Sequence, residues 1–185
     1  RRTIWPANKW ILDVESDRIN KKLTPLVRGT ISKQFAFNFA WFAFAISTIL
    51  AFFINIYAFG IVLIFNALAI LYNYKLKDIA LIGNVYIAFT MAIPFLFGNI
   101  VVSNTLNLNP TIITLAILGF LSGLAREIVK SVQDIKGDKK ARGAKTLPII
   151  VGERNSLLIA ALLYVIFVPL TLAPFQFGLK LNLIA

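Results

Sequence analysis

The sequence predicts an all-α polytopic bundle of transmembrane helices, and three observations carry that prediction. Of 185 residues, 58% are hydrophobic and only 15% charged, whereas soluble domains run nearer half apolar and a quarter charged. The charges gather in residues 1–33, 75–78 and 126–154 and at Lys180, leaving 34–74, 79–125 and 155–179 without Lys, Arg, Asp or Glu. A spanning helix needs about 20 apolar residues, so the first two uncharged runs each hold two spans and the third holds one.

The first run divides near Y-A-F-G (57–60), where Gly60 can turn the chain, giving helices of about 35–57 and 61–74. The second divides at S-N-T-L-N-L-N-P (103–110), a polar turn closed by Pro110, with helices near 80–102 and 111–130. The third gives one helix near 155–175, with Pro169 and Pro174 as its kink or end. Each helical pair returns the chain to its starting side, so the three charged blocks share one membrane face. By the positive-inside rule that face is cytoplasmic. The chain opens on R-R-T-I-W-P-A-N-K-W and stops at L-N-L-I-A. We therefore expect a single membrane-embedded domain, 1–185, incomplete at both ends.

With no cysteine and no histidine, disulfides, thiolates, imidazole bases and His/Cys zinc sites are excluded. Any metal must be held by oxygen, which favours magnesium, manganese or calcium. The net charge of +11 does not indicate a nucleic-acid partner, because the basic residues flank apolar spans as membrane loops do.

Eight acidic residues are present, and four form two pairs of equal spacing: Asp13 and Asp17 in D-V-E-S-D, Asp134 and Asp138 in D-I-K-G-D. On a helix such a pair shares one face, one turn apart, with Glu15 turned roughly 200° from Asp13. Acids kept near a bilayer are functional candidates by default. Arg126, Lys130, Asp134 and Asp138 recur every four residues, predicting a stripe along one helix face. Lys139, Lys140 and Arg142 read as headgroup-snorkelling side chains. Gly137 can kink the chain locally.

Two carboxylate pairs ringed by cations suggest a diphosphate bridged to protein by two magnesium ions, with Asp13, Asp17, Asp134 and Asp138 as metal ligands and catalytic residues. Lys75, Lys77, Arg126, Lys130 and Lys145 are candidates for the diphosphate oxygens or an acceptor phosphate, with Arg18 and Asn84 beside them. Walker-type phosphate loops are absent, so departure of diphosphate fits better than phosphoryl transfer. The 16 Phe, five Tyr and three Trp suit a chamber for a long apolar chain and an allylic cation. Asn38, Asn66, Asn84 and Asn99 either line that chamber or join helices; Asn84 is the favoured lining residue.

At these residues the sequence resembles the UbiA superfamily of intramembrane prenyltransferases. D-V-E-S-D-R-I-N-K-K-L-T-P-L-V-R-G-T-I-S resembles its first aspartate motif. L-Y-N-Y-K-L-K-D-I-A-L-I-G-N resembles its middle loop, and R-E-I-V-K-S-V-Q-D-I-K-G-D-K-K-A-R-G-A-K-T-L-P-I-I-V-G its second motif. The match runs from about residue 8 to about residue 152. It implies nine spans, of which this chain would lack the first, most of the second and the last one or two. R-E-I-x-K, D-x-x-G-D and G-A-K-T-L-P are most similar to the archaeal branch. That implies magnesium-dependent transfer of a geranylgeranyl group from its diphosphate to the hydroxyl of geranylgeranylglyceryl phosphate, in ether-lipid synthesis. The partners implied are an isoprenyl diphosphate, a lipid-like acceptor and membrane lipids. Two positions depart from the family pattern: Lys9 stands where Asn is usual, with Asn8 one place off, and Ser131 stands where an acid is frequent.

An aromatic prenyltransferase of the same family, making a quinone precursor, is the nearest alternative. The D-G and A-R block of CDP-alcohol phosphotransferases is absent. A cation transporter would place its carboxylates near the midplane, whereas these lie at span ends.

Overall fold

A computed structural model describes residues 6–176, with side chains from residue 13 onward. Six long helices organise that range: α1 (Pro6–Ile19), α2 (Lys33–Ile54), α3 (Ile56–Tyr74), α4 (Ile82–Ser103), α5 (Pro110–Gln133) and α6 (Glu153–Leu170). The last five, α6 taken on to Gln176, are long and apolar enough to cross a membrane. The one pairing of strand type among the described residues is an isolated parallel bridge between Ile79 and Lys145. The expected all-α membrane bundle is the fold observed. Lys180, the closing L-N-L-I-A and the side chains of Asn8 and Lys9 lie outside the described residues.

One boundary differs from expectation. The first hydrophobic run breaks at Asn55, and Gly60 sits inside α3, where an added Cβ meets nothing within 4 Å. Asn55 is extended (φ −168°, ψ 167°), and its N–H donates to the Ala51 carbonyl at 3.4 Å. Its side-chain oxygen accepts from the Ala58 N–H at 2.7 Å, and its amide donates to the Ile100 carbonyl at 3.3 Å. A single Asn thus closes α2, caps α3 and ties the turn to α4. Capping outweighs a mid-run glycine because helix ends leave orphan N–H groups that a side-chain oxygen can satisfy. The second break follows the expected pattern: the Asn109 side chain accepts from Ile112 N–H at 2.9 Å and Pro110 opens α5. Pro169 lies in the last turn of α6, before a short helix Ala173–Gln176 containing Pro174.

The bundle is built around α4, α5 and α6. Gly119 and Gly123 form a small-xxx-small face on α5 against Ala88, Met91 and Ala92 of α4. A Cβ on Gly119 would stand 2.8 Å from the Met91 carbonyl oxygen, and one on Gly123 3.3 Å from the Ala88 Cα. Without a hydrophobic drive between helices in lipid, such close backbone approach supplies the association through dispersion contacts. Ala125 and Ile128 of α5 pack with Leu147 and with Ala160 of α6 in a small buried core. Asn66 on α3 joins helices, donating to Thr48 Oγ1 on α2 at 3.0 Å. Phe35, Phe39, Phe52 and Phe53 are exposed on α2, as lipid-facing side chains are. Gly119→Leu should therefore lower the stability of the solubilised protein by about 1–3 kcal/mol through overpacking. Gly60→Ala should be neutral or stabilising by up to about 1 kcal/mol; thermal unfolding in detergent measures both.

Candidate active site

A cavity of about 240 Å³ opens where α1, the loop after α3 and the segment after α5 meet. Five carboxylates line it, Asp13, Asp17, Glu127, Asp134 and Asp138, with four cations, Lys22, Lys77, Lys130 and Arg142. The three charged blocks therefore lie on one face, as the span count requires.

Asp13 and Asp17 project from α1 to the cavity one turn apart, while Glu15 points away and pairs with exposed Arg18 at 3.3 Å. Helix α1 ends in a left-handed turn at Lys21 (φ 56°). That turn brings Lys22 back over the site, with Nζ 2.6 Å from the Asp134 carboxylate and 3.7 Å from Asp17. A left-handed non-glycine residue costs roughly 1–2 kcal/mol.

The second aspartate pair is not on one continuous helix. Helix α5 stops at Gln133 and Asp134 caps it; one turn, Ile135–Gly137, follows, and then a wide turn, Asp138–Arg142, closes at Gly143 (φ 61°). The Asp138 N–H still donates to the Asp134 carbonyl at 3.0 Å, so the two side chains keep a common face despite the break. Gly137 is where the two motifs touch. Its N–H donates to Asn20 Oδ1 at 2.8 Å, and a Cβ there would collide with the Ser16 carbonyl and the Asn20 amide. The glycine is explained by close approach of α1, not by a kink.

Arg142 is the hub, and its expected snorkelling role is corrected. Its side chain is only 14% exposed. NH1 donates to Asp13 Oδ1 at 3.1 Å, NH2 to Asp138 Oδ1 at 2.6 Å, and Nε lies 3.6 Å from Asp78. One guanidinium thereby joins both aspartate motifs and the middle loop, a role for which its rigid donor fork is suited. Burial opposes its charge, but Asp138, Asp13 and Asp78 together hold its pKa above the ordinary value. Burial pushes the Asp138 carboxyl up, against the opposing pull of Arg142 and of Ser16, whose Oγ donates to Asp138 at 3.1 Å. Lys77 donates to Asp13 Oδ2.

Of the other candidates, Lys130 and Asn84 line the cavity. The Asn84 amide donates to Ser131 Oγ at 2.8 Å, and Ser131 Oγ donates to the Glu127 carbonyl at 2.8 Å. At the position where an acid was noted as frequent, a hydroxyl instead links α4 to α5. Lys75, Lys145 and Arg18 are exposed and stand outside the lining. Arg126 turns to another hollow, because the stripe through 126, 130, 134 and 138 drifts around α5 and breaks at its end. Sequence reasoning missed Lys22, Glu127 and Arg142. For Arg142 the one available signal was the following glycine, which permits the left-handed closure.

Among the described residues no three carboxylates converge on a single ion position. The donor set nonetheless suits a hard cation: every anionic side chain on the cavity is a carboxylate, and magnesium is commonly held by one or two of these plus substrate phosphate oxygens. Between α4 and α5 runs a second, wholly apolar hollow of about 500 Å³, whose lining includes Phe89, Ala92, Leu96, Ala116 and Phe120.

The sequence matches the UbiA prenyltransferase family over residues 7–185. It is 41% identical over 170 residues to a digeranylgeranylglyceryl phosphate synthase of Pyrococcus furiosus, covering 92% of this chain and 60% of that protein. It is also 41% identical over 175 residues to the enzyme of the same name from Archaeoglobus fulgidus, covering 91% and 59%. A solved structure from a study of digeranylgeranylglyceryl phosphate synthase in membranes superposes with a TM-score of 0.63 at 36% identity, over 92% of this chain and 59% of that one. The chain thus spans about three fifths of the length of these relatives.

Replacing Arg142 leaves three carboxylates facing one another without their shared cation. Arg142→Gln should destabilise the protein by about 3 kcal/mol, whereas Lys139→Gln and Lys140→Gln, both exposed, should each shift it by less than about 0.5 kcal/mol. Denaturant unfolding in detergent compares the three variants.

Proposed function

The chain belongs to the UbiA prenyltransferase family, and on that footing we propose that its cavity transfers a prenyl group from an isoprenyl diphosphate to a lipid hydroxyl. The observation that carries the reading is the convergence of Asp13, Asp17, Asp134 and Asp138 on one cavity that also holds Lys22, Lys77, Lys130 and Arg142. The names of the relatives support geranylgeranyl diphosphate as the donor and a prenylated glyceryl phosphate as the acceptor, in archaeal ether-lipid synthesis.

In this reading Asp13, Asp17, Asp134 and Asp138 would hold two magnesium ions, with the diphosphate between the aspartate pairs. Magnesium bound there would supply stabilisation of the negative charge that gathers on the departing diphosphate. The charge balance supports two ions. The cavity lining carries one carboxylate in excess of its cations, and an ionised diphosphate ester with two divalent ions is net cationic. Lys22, Lys77 and Arg142, which neutralise the carboxylates in the structure, then turn part of their donor capacity to phosphate oxygens. The prenyl tail would lie toward the apolar hollow between α4 and α5, whose lining includes Phe89 and Phe120.

The reaction breaks the bond between C1 and the diphosphate oxygen, with the electron pair leaving on diphosphate. The acceptor hydroxyl oxygen bonds to C1, and its proton passes to water or to the released diphosphate. Orientation follows from charge: the basic blocks lie on the cavity side, while the turns at Asn55 and at 104–109 carry none. The positive-inside rule makes the cavity side cytoplasmic.

Labelled geranylgeranyl diphosphate offered with a prenylated glyceryl phosphate, or with 4-hydroxybenzoate, tests the reading. Transfer should occur to the first acceptor only, stop on chelation and return with magnesium. Asp13→Ala and Asp134→Ala should each lose at least about 100-fold in kcat while remaining membrane-inserted. Full magnesium-dependent turnover in either variant would remove the assignment.

A further inference from the structure

Helix α5 carries a second polar feature beside the diphosphate cavity, with only Lys130 of its lining shared between the two. On its side toward α6 lies a hollow of about 410 Å³ lined by Arg126, Val129, Lys130, Gln133 and Tyr164. Its four polar liners all offer donors, and among the described residues no carboxylate lines it. Arg126 is seven residues before the end of α5, roughly 10 Å below it at 1.5 Å per residue. A cation at the edge of an apolar span is costly unless an anion meets it.

Glu127 meets it only in part. Its carboxylate is 3.1 Å from Arg126 NH1 and 3.4 Å from Lys130 Nζ, one negative charge against two positive. The Glu127 side chain is 8% exposed, while those of Arg126 and Lys130 remain 60% and 52% exposed. The carboxylate therefore fixes both cations from behind and leaves one positive charge in excess facing the hollow. Lys130 lines this hollow and the diphosphate cavity alike, so the two adjoin at that side chain.

We propose that Arg126 and Lys130, braced by Glu127 and flanked by Gln133 and Tyr164, form a second anion site that takes the phosphate of the acceptor lipid. The proposal rests on the prenyl-transfer reading above and names the part of the acceptor that is recognised. A ligand with its anionic head in the outer hollow and its nucleophile in the inner one has the two groups a few bonds apart. A glycerol phosphate ester has that form. Arg126 supplies the planar fork and Lys130 the point charge.

The test measures steady-state kinetics in discs of zwitterionic lipid, with geranylgeranyl diphosphate and either a prenylated glyceryl phosphate or its dephosphorylated counterpart. Arg126→Gln should raise KM for the phosphorylated acceptor roughly 10- to 100-fold, leave KM for the donor within about two-fold, and leave the dephosphorylated acceptor unaffected. Arg126→Lys should recover part of the loss. The site is overturned if donor and acceptor KM rise together, if both acceptors suffer equally, or if acceptor KM does not move. It is equally overturned if Arg126→Gln only makes stability insensitive to added anionic phospholipid, since the partner is then a bulk lipid headgroup. Wild-type protein inactive toward every acceptor would count against the transfer reading instead. The dissociation constant of the prenylated glyceryl phosphate, wild type against Arg126→Gln, then decides the anion site by itself: a 10- to 100-fold weakening supports it, and equal affinity removes it.

Discussion

Carboxylates at the edge of an apolar bundle must be matched by cations, and Arg142 is where that requirement binds the chain together. Desolvated acids cost several kcal/mol each when unpaired. Here Asp13, Asp78 and Asp138, from three separate blocks of sequence, surround one guanidinium. Lys22 does the same for Asp17 and Asp134. These two cations bring α1 against the segment after α5, and Gly137 allows the approach to be close enough for backbone contact. The parallel bridge from Ile79 to Lys145 and the 3.0 Å bond from Lys145 N–H to the Asp78 carbonyl hold the middle loop in register with that assembly.

Under the proposed function the same pairing would prepare the site for an anionic substrate. A carboxylate cavity lacking internal cations would repel a diphosphate, and one dominated by cations would hold it without room for metal. The near balance of five carboxylates and four cations lies between these limits. Under the proposed function each cation would have donors to spare once a metal took over its carboxylate, so incoming phosphate oxygens would meet charges already in place. That is the electrostatic preorganisation on which charge-separating chemistry depends. Farther along α4 and α5 a separate hollow is wholly apolar, and under the proposed function the two would take the two parts of a prenyl diphosphate.

The spans were legible because hydropathy and charge segregation are one-dimensional properties, and lipid enforces them strictly. The four aspartates were legible because an acid beside a bilayer needs a reason to be there. What the sequence hid depends on single backbone conformations. Arg142 reads like its neighbours Lys139 and Lys140 until the wide turn and the left-handed Gly143 direct it inward. Lys22 is one of two adjacent lysines, and only the positive φ at Lys21 returns it to the cavity. Gly60 reads as the break because glycine marks turns in general, whereas Asn55, able to cap α3 and bond α4, meets the particular demand of a helix end. Arg126 was drawn into the site by a four-residue interval that a 3.6-residue helix does not sustain.

The central claim is that both aspartate pairs act on one ligand. A double-mutant cycle on magnesium-dependent binding of inorganic pyrophosphate, using Asp17→Asn, Asp134→Asn and the combined variant, addresses it most directly. Two carboxylates acting on one bound diphosphate should give a coupling energy of about 1 kcal/mol or more. Strictly additive losses in affinity would mean that the two pairs serve separate ligands, and the shared cavity would then have no common function.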